Sequence, residues 1–61
     1  MKEQLMNFLK SCDNRGSAES LISFEEHIKS CVSRFNEENN SKFNEFESFC
    51  DYLEFAGYEW I

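Results

Sequence analysis

Sixty-one residues, 41% apolar and 16% aromatic, carry twelve acidic against six basic side chains and a net charge of −6. That length admits one domain, and so apolar a composition excludes a disordered acidic tail. No apolar run approaches the ~18 residues of a membrane span, no glycine-rich phosphate loop occurs, and direct binding to a nucleic-acid backbone is disfavoured because that affinity comes from Lys and Arg.

The segment MKEQLMNFLK lacks the apolar core and small-residue cleavage site of a signal peptide, so a cytoplasmic location is expected. Proline is absent and Gly16 and Gly57 are the only glycines. Uninterrupted periodic stretches then favour an all-α fold over a sheet. The chain reads as a single domain over 1–61: a short N-terminal helix, then an antiparallel hairpin of two longer ones, with an apolar tail at 58–61.

The spacing predicts a first helix over 2–12, with Leu5, Phe8, Leu9 and Cys12 on one face and Met6 at its edge. Asp13-Asn14-Arg15-Gly16 supplies turn chemistry, and Gly16 suits the left-handed residue that closes a helix. Ser17 is then the expected N-cap of a second helix over 18–36, with Glu19 in its first turn. A later start, from a capping box of Ser23 and Glu26, is the alternative. Leu21, Phe24, Ile28, Cys31 and Phe35 recur at steps of three and four, and Ile22 and Val32 widen that stripe. Glu25 and Lys29 form a favourable i, i+4 pair on the outer side.

Asn36-Glu37-Glu38-Asn39-Asn40 reads as the hairpin connection. A third helix, capped by Asn40 or Ser41 and running over 41–56, carries the densest aromatic pattern in the chain. Phe43, Phe46, Phe49, Cys50, Leu53 and Ala56 line its expected inner side, with Glu47, Asp51 and Glu54 opposite. Phe55 falls on the polar side, among Asn44, Ser48 and Asp51. Gly57 closes the helix, and Tyr58 is placed to fold back on Leu53. The expected core and dimer residues are therefore Leu5, Leu9, Leu21, Phe24, Ile28, Phe35, Phe43, Phe46, Phe49 and Leu53. Ten aromatic rings exceed what one small core absorbs, so a homodimer is expected, with a monomeric three-helix bundle as the alternative.

Charge is distributed unevenly. Through residue 36, Lys2, Lys10, Arg15, Lys29 and Arg34 balance Glu3, Asp13, Glu19, Glu25 and Glu26. Beyond it Lys42 stands alone against Glu37, Glu38, Glu45, Glu47, Asp51, Glu54 and Glu59, so the whole excess lies in the last 25 residues. The plain reading is a solubilising face. The functional reading makes Glu45, Glu47, Asp51, Tyr52, Glu54, Phe55, Tyr58 and Trp60 a contact surface for a basic or nucleic-acid-binding protein.

Cys12, Cys31 and Cys50 are expected on apolar faces as small hydrophobes. With His27 they also make a Cys₃His inventory, but the tight knuckles of zinc sites are missing, so neither a metal nor another cofactor is expected. One histidine beside buried thiols, and carboxylates without a cleft, give no catalytic set. The chain is read as a non-enzyme. In size, charge and helicity it resembles the small acidic helical proteins by which bacteriophages and plasmids modulate or inhibit host proteins. The alternative is a small dimeric helical regulator of transcription, replication or RNA, acting with nucleic acid or a nucleic-acid-binding partner through Lys2, Lys10, Arg15, Lys29 and Arg34.

Overall fold

A computed structural model describes residues 1–58, which form three helices and, among the described residues, no strand: α1 (Lys2–Cys12), α2 (Leu21–Asn39) and α3 (Glu45–Ala56). No helix among them is long and apolar enough to cross a membrane. The tail at Glu59, Trp60 and Ile61 lies outside the described residues.

α1 spans the predicted residues, but its end is made differently. Asp13, with extended ψ, is its cap, and Gly16 has no positive φ. Asp13 Oδ1 accepts the Arg15 amide at 2.8 Å, and the Asn14 carbonyl accepts the amides of Ser17 and Ala18, both at 2.9 Å. A side-chain turn thus replaces the glycine turn, as Asp and Asn allow. Residues 17–20 stay non-helical, which corrects the early start expected for α2. Its N-cap is Ser20, whose Oγ accepts the Ser23 amide at 3.1 Å. Leu21, expected in the core, is therefore the exposed first residue of the helix, and Ile22 is 70% exposed.

The other end of α2 runs on through the polar stretch expected to be a loop. Asn36 is a helical residue whose side chain does the connecting. Its Oδ1 accepts the Phe43 amide at 3.0 Å and the Ser41 hydroxyl at 2.9 Å, while its Nδ2 donates to the Phe43 carbonyl at 3.0 Å. One amide thereby satisfies both backbone groups of Phe43 and holds 41–44 extended. Asn40 takes the left-handed conformation at φ 53°, and the Ser41 amide closes onto the Asn36 carbonyl. α3 consequently starts at Glu45 rather than 41, capped by Asn44, whose Oδ1 accepts the Glu47 amide at 2.9 Å. Its far end is as expected. Gly57 at φ 80° donates to the Glu54 carbonyl and Tyr58 to Leu53, a Schellman closure.

Among the described residues, eleven side chains make one core: Leu5, Met6 and Leu9 from α1, Phe24, Ile28, Cys31, Val32 and Phe35 from α2, and Phe49, Tyr52 and Leu53 from α3. Burying each of the larger ones contributes about 1.5–3 kcal/mol. Phe35 meets Phe43 at 6.1 Å at one end of α2, and Phe24 meets Phe49 and Tyr58 at 5.9 Å near the other. Phe8 reaches Phe35 at 5.6 Å.

α3 presents a different face to this core from the expected one. Ser48 and Tyr52 are buried, whereas Phe46 is 55% exposed and Cys50 and Ala56 are also outside. The helix is turned by about one residue's rotation relative to the phenylalanine stripe. Tyr52 has both an apolar body and a hydroxyl that finds an acceptor in Asp13, and the small Ser48 is buried on the same face.

Candidate interaction surface

Two carboxylates tie α1 to α3, one on each flank of the contact. Asp13, at the end of α1, accepts hydrogen bonds from the phenols of Tyr52 and Tyr58, the latter at 2.8 Å, and from the Arg15 amide. Burial pushes its carboxyl up, but those three donors outweigh it and hold the carboxyl below its ordinary range. Conversely, burial and then Asp13 itself raise Tyr52, and the hydrogen bond to Asp13 raises Tyr58. Asp13 carries no functional signal in the sequence beyond turn chemistry. Its role depends on side chains about forty residues away.

On the opposite flank Lys2 Nζ donates to Asp51, and this pair is well hydrated, with side chains 58% and 42% exposed. The pair borders an open cleft of about 320 Å³ between α1 and α3, lined by Lys2, Met6, Asp51, Glu54 and Phe55. Met6 is buried and Phe55 is 49% exposed. The Phe55 ring lies 6.3 Å from Tyr52, so a buried neighbour backs one side of it.

Of the side chains proposed for partner contact, Glu45, Glu47 and Glu54 are exposed as expected, Asp51 is half-paired, and Phe55 stands at the cleft. Tyr52 must be withdrawn from that set because it is fully buried. Tyr58 keeps an exposed edge, but its hydroxyl is committed to Asp13. Trp60 lies outside the described residues.

The cysteine set separates. Cys31 is buried and Cys12 partly so beside it, while Cys50 is exposed on α3. His27 Nε2 sits 2.7 Å from the Cys12 carbonyl and 3.8 Å from Cys31 Sγ. The short contact assigns the proton to Nε2, which donates to the final carbonyl of α1 and so caps that helix. Burial and then Cys31 push the Cys12 thiol up to about 11, so it stays protonated and unreactive near neutrality. Among the described residues no group of three or more His, Cys, Asp or Glu side chains is arranged to hold a metal ion.

The basic residues of the nucleic-acid reading are partly committed within the chain. Lys2 pairs with Asp51, Lys29 with Glu25 at 3.2 Å, and Arg34 lies 5.8 Å over the Phe8 ring and reaches Cys31 Sγ. No family model, curated protein or solved structure matches this chain.

Proposed function

We propose that the chain is a non-enzymatic interaction module whose outer α3 face captures a basic, nucleic-acid-binding protein and modulates it. The observation that carries this reading is the exposure of Glu45, Glu47 and Glu54 along the same helix as the half-exposed Phe55, with Glu54 next to that ring at the cleft. Unpaired charge next to an aromatic anchor is the composition of a contact patch with a polar rim. The likeness in size and charge to phage- and plasmid-encoded inhibitors, acting in a host cytoplasm, supports the same role. The ring contacts at both ends of α2 support an antiparallel α2–α3 hairpin as the rigid platform. Most of the described rings pack within one chain, so a homodimer would draw on the apolar side chains left exposed, Ile22, Phe46 and Phe55 among them.

The test is a pull-down with mass identification, comparing the wild-type chain with Glu47→Gln/Asp51→Asn/Glu54→Gln. Helicity by circular dichroism should be unchanged, and a basic protein held by the wild type should be lost from the variant. Equal capture by both removes this reading.

A further inference from the structure

The cleft between α1 and α3 adds something that the acidic face alone does not: a resident cation. Lys2 belongs to a different helix from the acidic residues, yet its ammonium is seated on Asp51 at the cleft's edge. Both side chains are about half exposed, and pairs of that kind hold weakly enough to exchange. Beneath them Met6 and Phe55 provide apolar surface, and Glu54 supplies a second carboxylate. The cleft is a shallow, open depression of about 320 Å³, with room for one or two side chains.

Resting on the acidic-face reading, we propose that this cleft is a docking slot for an arginine-bearing segment of a partner protein with an adjacent large apolar side chain. Lys2 holds the place of the incoming cation until that segment arrives. The choice of occupant follows from charge complementarity. Two carboxylates face one ammonium, so the cleft retains a net negative charge even when Lys2 is in place. A guanidinium offers Asp51 and Glu54 a planar fork of donors that the Lys2 ammonium cannot, and it also stacks on an aromatic face such as that of Phe55. The partner's apolar side chain takes the space over Met6 and the open side of Phe55. An all-anionic ligand is repelled, and a plain polycation leaves the apolar surface unused.

The probe is a synthetic arginine-rich peptide with one central leucine, titrated into isotopically labelled protein while amide shifts and affinity are followed. Shifts should centre on residues 2–6 and 51–55. Lys2→Gln, by removing the competitor, should tighten binding by about two- to fivefold, the worth of an exposed pair. Phe55→Ala should weaken it by about tenfold, as loss of a buried aromatic anchor does. Replacing the peptide's leucine with serine should weaken wild-type binding, and should weaken the Phe55→Ala variant by less, since only the contact over Met6 is left there to lose. Circular dichroism of each variant confirms that the fold is kept. If Lys2→Gln and Phe55→Ala bind as wild type while Glu47→Gln/Asp51→Asn/Glu54→Gln does not, the slot is wrong and the acidic face stands. If that triple variant also binds as wild type, the acidic-face reading falls with it. Shifts that move with protein concentration alone would assign the cleft to a second copy of the chain and overturn the proposal.

Discussion

Asp13 and Asp51 both join α1 to α3, yet they are different kinds of link. Asp13 is half-buried and receives three donors, two of them phenols. Asp51 is half in solvent and receives one ammonium from a flexible chain. Both residues are half-buried, so the number and stiffness of their donors, not burial or formal charge, decide which carboxylate is structural and which is exchangeable. In the proposed role, the Asp13 side fixes the packing of the helices and the open Asp51 side is where a partner would replace an internal contact.

The sharpest way to break that contrast is to remove Asp13. Asp13→Ala leaves the buried Tyr52 hydroxyl without its acceptor and should cost about 1–3 kcal/mol in urea unfolding. A loss no larger than that of an exposed pair would erase the distinction.

Titration sharpens it next. The Asp13 carboxyl is lowered in the folded chain, so its contribution is complete above the ordinary value of about 3.9 and is lost as pH falls through the lowered one. Tyr52 and Tyr58 are raised, so their contribution is complete below about 10 and fades as pH rises through the raised values. Stability curves of the wild type and Asp13→Asn should therefore converge at both extremes and differ most in between. Parallel curves from acid to alkali would contradict the network.

The smallest effect is expected on the open flank. Lys2→Gln or Asp51→Asn should change unfolding free energy by less than about 1 kcal/mol. A larger loss would make Asp51 as structural as Asp13 and leave no replaceable contact for a partner.

Much of this contrast could not be read from the sequence, although the helices themselves could. The extent of α1, the stripe Phe24–Ile28–Cys31–Phe35 and the Gly57 closure are local properties. Periodicity and a left-handed glycine suffice to specify them. The starts of α2 and α3 were missed because several Ser and Asn residues are competent caps, and packing chooses among them. Ser20 and Asn44 won, the latter because Asn36 holds Phe43 in an extended segment before the helix begins. At the candidate surface, the outward placement of Glu47, Glu54 and Phe55 was legible from the helical wheel. The burial of Tyr52 was not, since its partner Asp13 lies 39 positions away.

What the amino-acid order determined by itself is a set of helices, an acidic final third and the closure at Gly57, because these depend on composition and on neighbours within a turn or two. Only the tertiary structure decided which side of α3 turns inward. Phe46 and Tyr52 are both aromatic and both within the helix, but one has a carboxylate waiting across the bundle and the other has none there. A hydroxyl can be buried where it finds an acceptor. That acceptor's position is a property of the assembled fold, and it accompanies the burial of Tyr52 with Phe49 and Leu53 while Phe46 stays outside.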